Sequence, residues 1–212
     1  MGTLTTTPIT QRVSVLLQDV AHVRWSIAEQ LLYLTDGVRE LCVLKPDACA
    51  KTATINLVAG TRQTLPDDGV SLIDVIRNTV GDKRAPRRAY RELLDAYDPL
   101  WHAGTPAQVV QHYTFDAQNQ RVLHVYPPNT GTGALEIVYA ATPAELAEGD
   151  SLGISDVWVP ALVNYVLYRC YSKDAEYAGN ATLAAAYYTA FSNQLAGKTG
   201  AETAVDPNRN AV

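Results

Sequence analysis

Apolar side chains recur at helical spacing at both ends of this chain and alternate with polar ones through its middle. Behind Thr7-Pro8, the residues Ile9, Val13, Leu16, Leu17 and Val20 share a helical face, with Thr7 placed to cap and Pro8 at the first helical position. A second helix starts at Ser26, whose partner Glu29 completes an S-x-x-E capping box. Its stripe of Ile27, Leu31, Leu34, Val38 and Leu41 runs on until Pro46 stops it. From Ala53 to Val58 the pattern becomes β-branched alternation, ended by Gly60, which predicts a strand. The segment Val70 to Arg77 fits a helix and a strand almost equally by period; β-branching and the preceding Asp67-Asp68-Gly69 turn favour the strand. A short helical stretch spans Arg91 to Tyr97, and Val109 to Phe115, Arg121 to Tyr126 and Leu135 to Ala140 read as three strands of an antiparallel meander. The breaks between those strands, Asp116 to Gln120 and Pro127 to Gly133, carry turn residues.

Helical periodicity returns after Gly153. Val159, Leu162, Val163, Val166, Leu167 and Cys170 define a helix started by Ser155 or Asp156, with Pro160 tolerated in its first turn. Past Gly179-Asn180, Leu183, Tyr187, Phe191 and Leu195 at i, i+4 spacing make a final Ala-rich helix. The fold expected is α+β, a helical bundle of two N-terminal and two C-terminal helices with an inserted small antiparallel β-sheet. Residues 1–50 and 151–196 would form the helical core, residues 51–150 the β-rich insertion, and residues 197–212, almost without apolar side chains, a flexible C-terminal tail.

Composition narrows the function. The chain has 212 residues, 47% of them hydrophobic, enough for one substantial core. A formal net charge of −5 argues against a protein that coats nucleic acid, because such binding needs a surplus of Lys and Arg to displace condensed counterions. The N-terminus lacks a basic leader, and the most apolar stretch, Val157 to Leu167, is too short to span a bilayer; an unexported protein without a membrane partner is expected. Cys42, Cys49 and Cys170 form no C-x-x-C pair, so reduced thiols are expected. Tyrosine outnumbers phenylalanine 12 to 2, which favours surfaces where a ring needs one apolar side and one polar partner, as at protein interfaces.

Several blocks in order along the chain resemble a family of phage proteins related to the head-to-tail adaptors of short-tailed phages. They are Asp19-Val20, Arg24-Trp25-Ser26, Glu29 to Leu34, Asp36 to Glu40, Pro46-Asp47-Ala48 and Gly60 to Pro66. Leu94-Asp95, Pro99 to His102, Val125 to Pro128 and Tyr165 to Tyr177 continue the series, so that the likeness spans roughly residues 10 to 195. The resemblance implies a helical bundle with a β insertion and about a dozen copies in a ring. It implies docking on the portal protein, contact with tail nozzle or tail tube proteins, and genomic DNA passing through the lumen without sequence-specific binding. It implies a virion protein at the head–tail junction, assembled in the host cytoplasm, with neither catalytic residues nor a cofactor. Head-completion and tail-terminator proteins are related ring-formers.

Candidate chemistry is sparse. The run Lys83, Arg84, Arg87, Arg88 and Arg91 is the densest positive patch and fits either contact with an acidic partner or a solvated loop. Glu145, Glu148 and Asp150 form a matching acidic loop, and pairing of the two between subunits would serve assembly. Gly197-Lys198-Thr199 follows a helix instead of joining a strand to one, and Ser192 stands where a phosphate loop needs its first glycine. His22, His102, His112 and His124 show no metal-ligand spacing. Trp25, Trp101 and Trp158 read as packing anchors, and Cys42 as an inert thiol. The rival reading is a tail-borne cell-wall hydrolase, which would need Asp95 and another acid, such as Asp98, facing each other across an open groove. A third is a monomeric host-interaction module.

Overall fold

The computed structural model of the protein describes residues 4–116, 118–174, 176–177 and 179–205. It is mixed α+β and divides into two compact units, Pro46–Thr142 forming one and Met1–Lys45 with Pro143–Val212 the other.

The helical unit contains α1 (Thr6–Leu16), α2 (Ile27–Leu44), α4 (Val159–Lys173) and α5 (Asn180–Val205). Helix α1 ends before the expected Val20, because Gln18 turns to φ 56° and the Asp19 amide donates back to the Ser14 carbonyl at 2.9 Å, which leaves Val20 exposed. The carboxylate of Asp19 then accepts the amides of Val23, Arg24 and Trp25, at 2.8, 2.9 and 2.9 Å, and holds the turn into α2. Those three donors favour the charged carboxylate and lower its pKa, so this turn is held most firmly above the ordinary carboxylate range and weakens as pH falls through it. At the start of α2 the predicted cap is present: Ser26 Oγ accepts from the Glu29 amide at 3.2 Å.

Helix α4 packs on α1, α2 and α5. Its fully buried Leu162, Val166 and Leu167 lie in the core with Ile9, Val13, Leu34, Val38 and Phe191. Gly37 lets α2 lie close against α4, since a Cβ there would stand 2.7 Å from Cδ1 of Tyr165. That ring is hemmed in by Phe191 and Tyr168, with centroids 5.2 and 5.7 Å away, and cannot retreat. Gly37→Ala is therefore expected to lower the unfolding midpoint, because overpacking costs about 1–3 kcal/mol against at most about 1 kcal/mol gained in helix propensity.

Further expectations need correction. Thr7 is no cap, because α1 begins at Thr6 with Thr5 at the N-cap position and no side-chain cap hydrogen bond. Cys42 and Cys49 are both disulfide-bonded, so only Cys170 is a free, buried thiol. Helix α5 continues to Val205, past the Gly197 boundary of the expected flexible tail; residues 206–212 of that tail lie outside the described residues. A scarcity of apolar side chains limits burial, but Ala201, Glu202 and Ala204 are good helix formers.

The β unit holds two sheets where one was expected. One has the order β1-β7-β3, from β1 (Ala50–Asn56), β7 (Ala134–Ala141) and β3 (Gly69–Asn78), all antiparallel. The other has the order β2-β6-β5-β4, from β2 (Ala59–Thr64), β6 (Asn119–Thr130), β5 (His112–Asp116) and the two-residue β4 (Arg87–Arg88), which runs parallel to β5. The meander is thus broken: β5 and β6 pair, but β7 leaves for the other sheet. Asn129 makes the corner, its Oδ1 accepting the amides of Gly131 and Gly133 while its Nδ2 donates to the carbonyls of Ala107 and Gln108. Six of the eight β7 residues are buried, so both faces of this central strand are largely covered. Leu123, Val125, Leu135, Ile137, Leu72 and Val75 lead the core of this unit.

Candidate assembly surfaces

The basic run is built on an anchored loop. Asn78, fully buried at the end of β3, donates through Nδ2 to the carbonyls of Arg84 and Val110 at 2.8 and 2.9 Å and accepts the Val110 amide at 2.8 Å. Between these fixed points the chain turns through Gly81 and Lys83, both at positive φ, and Pro86 is buried while Lys83, Arg84, Arg87, Arg88 and Arg91 stay exposed. Strand β4 then presents Arg87 and Arg88 from a sheet edge, and the Arg88 guanidinium lies 4.5 Å over the Phe115 ring. The basic residues are therefore a positioned row rather than a loose loop.

After β4 comes α3 (Arg91–Tyr97), which buries no residue of its own. Its anchor is Asp95, whose Oδ1 accepts the indole N–H of Trp101 at 2.8 Å. Arg91 pairs with the same carboxylate at 3.5 Å. Trp101, only 1% exposed, stacks on His102 and meets His124 and Tyr126 edge-on. Asp98, next along, accepts the Leu100 amide at 3.2 Å. Asp95 and Asp98 thus both hold this segment's own turns, and Asp95 also lines, with Glu92, Asp116 and His124, a groove of about 490 Å³.

His124 sits beside that anchor. Burial first, then the neighbouring His102, Arg91 and Arg62, lowers its pKa below the ordinary histidine value. The folded protein then keeps His124 neutral at a pH where the unfolded chain takes up a proton, so this contribution is complete above about pH 6.5 and declines as pH falls below it. Thermal melts at decreasing pH should show that decline in the wild type and a weaker one in His124→Gln.

The acidic loop belongs to the helical unit. Glu145, Glu148 and Asp150 are exposed, and their loop is pinned to the first turn of α1 by buried Thr6. Thr6 donates its hydroxyl to the Ala147 carbonyl and its amide to the Asp150 carbonyl, both at 2.9 Å, and its Oγ1 accepts the Gly149 amide at 2.9 Å. Residues of α1, α4 and α5 also line an apolar groove of about 690 Å³. The structure thus fixes the basic row in the β unit and the acidic loop in the helical unit, each by its own hydrogen bonds.

Two blocks that carry the family resemblance do meet. Arg24 pairs with Asp174 at 2.6 Å, Lys173 with Glu29 at 2.7 Å, and Trp25 meets Tyr171 edge-on. Among the histidines, His112 faces Tyr126 across the β5–β6 ladder and His124 faces Thr114, while His22 accompanies Ser14 and Gln30 in a hydrogen-bonded cluster. Among the described residues there is no group of three or more metal-ligating side chains, and no helix is long and apolar enough to cross a membrane. Gly197-Lys198-Thr199 lies within α5, with no strand leading into it.

The chain belongs to a family of phage head-to-tail adaptor proteins. The family model that matches is that of the SU10 adaptor protein, aligned over residues 5–211, nearly the whole chain. No curated protein matches it. The family is one of phage structural proteins, whose adaptors interact with portal and tail proteins.

Proposed function

We propose that this chain forms a ring of about a dozen copies that docks on the portal, extends the DNA channel and gives the tail proteins their platform. The family match over residues 5–211 carries this reading. Its work is done by surfaces, with no catalytic step and no cofactor, and its place is the head–tail junction of the virion. An acidic chain of net charge −5 suits a channel wall, because a weakly interacting or repulsive surface lets a polyanion slide where a basic one would hold it. The positioned basic row, Lys83 to Arg91, and the pinned acidic loop, Glu145 to Asp150, serve as assembly contacts. Tyr-, Arg- and Trp-rich composition at such contacts is the usual source of interface energy.

Phage heads produced without this chain should package DNA through their portal yet carry no tail, and purified chain added to them should restore tail attachment. Tailed, infectious particles lacking the chain would overturn the proposal. Reversing two charges of the row, Arg87→Glu with Arg88→Glu, should reduce incorporation into particles, whereas unchanged incorporation would remove that row from the contact surface.

A further inference from the structure

Four large side chains on and beside α3 are exposed. Tyr90, Leu93, Tyr97 and Leu100 are 70, 65, 89 and 75% exposed; Leu93 and Tyr97 share a face of α3 at i, i+4, Tyr90 is its N-cap and Leu100 follows its C-cap Asp98. Scattered exposed apolar residues are ordinary, but this cluster along a helix that buries none of its residues forms a ridge that marks a contact surface. The ridge is charged in order, with Arg87 and Arg88 before its N-terminal end and Asp98 near its C-terminal end.

The helical unit offers the complementary shape. The groove of about 690 Å³ has an apolar floor that includes Val15, Leu16, Pro160 and Val163, with Arg12 on its wall. Val15 and Leu16 are 64 and 52% exposed there. At the N-terminal end of α1, where the groove begins beside Pro8, the acidic loop is pinned by Thr6. Along α1 the charge order is therefore acidic, then basic at Arg12, the reverse of the order along the ridge.

We infer that the α3 ridge of one copy seats in the α1–α4 groove of a second copy, with Arg87 and Arg88 against the acidic loop and Asp98 toward Arg12. The volume lies within the range of about 300–1,000 Å³ typical of ligand pockets, room for the Leu93, Tyr97 and Leu100 side chains. Ridge and groove are different patches of the same chain, so the contact is head-to-tail, the kind that closes into a ring and cannot stop at a two-fold dimer. The inference rests on the ring reading and names the surfaces that make it.

The test uses the full chain, with native mass spectrometry alone and on portal rings. Leu93→Ser with Tyr97→Ser changes only exposed or unburied positions, and Val15→Glu with Leu16→Glu does the same on the groove; circular dichroism of each establishes that it is folded. Each double variant should lose the wild-type oligomer. Mixed one to one, they should form heterodimers and nothing larger, because one intact ridge meets one intact groove. Reversal of Arg87 and Arg88 to Glu should likewise weaken assembly and be restored in part by Glu145→Lys with Glu148→Lys. Wild-type oligomers from both folded double variants would overturn the inference while leaving the adaptor reading in place. A wild-type chain that forms no oligomer, alone or on the portal, would overturn both.

Discussion

Trp101→Ala is expected to destabilise the β unit by about 3–5 kcal/mol, the usual cost of emptying a fully buried large aromatic site. Trp101 does two things at once: its ring fills the space against His102, His124 and Tyr126, and its N–H is what Asp95 accepts from α3. Because α3 buries none of its own residues, losing this bond should also release the helix from the sheet. Trp101→Phe separates the two effects, retaining most of the ring while deleting the donor, at about 1–3 kcal/mol. Denaturant unfolding measures the stability, and backbone amide exchange over Arg91–Tyr97 measures the release. Rapid exchange in both variants is the expected result. A helix that stays protected in Trp101→Ala would mean that something other than this bond holds it.

Asn78→Ala should cost about 2–6 kcal/mol, because it strands the buried amide and carbonyl of Val110 at about 1–3 kcal/mol for each unsatisfied group. The carbonyl of Arg84 keeps the Asn78 backbone amide as a donor, at 3.0 Å, so the loop end is loosened rather than lost. Asn78→Asp is the sharper variant, since it preserves shape and the acceptor for Val110 but turns a carboxylate oxygen toward two carbonyls. Both should raise tryptic cleavage after Lys83 and Arg84 well before global unfolding. Destabilisation without any change in cleavage would show that the basic row does not depend on this clamp.

Much of the fold was legible because its elements obey local rules. The stripe from Ile27 to Leu41, the Ser26 cap and the β-branched runs of β3, β5 and β7 are properties of neighbouring residues. Strand partners are not. Nothing within Leu135–Ala140 says that β7 pairs with β1 and β3 rather than with β6, because the decision lies in the Asn129 corner and in Ala107 and Gln108 beyond it in space. The basic row was visible as charge, yet its anchorage depends on Asn78 and Val110, which are 32 positions apart. The i, i+4 spacing of Leu93 and Tyr97 was present too, but period alone cannot tell a face that meets a core from one that meets a partner. Asp95 and Asp98 illustrate the opposite case, two acids whose spacing suggested chemistry and whose hydrogen bonds belong to local structure.

The central claim is that this chain is a multi-copy adaptor for the portal, and native mass spectrometry of the purified chain mixed with the portal protein of the same phage addresses it most directly. The account predicts a complex carrying about a dozen copies of the chain on one portal ring. A chain that remains monomeric and ignores the portal would contradict it.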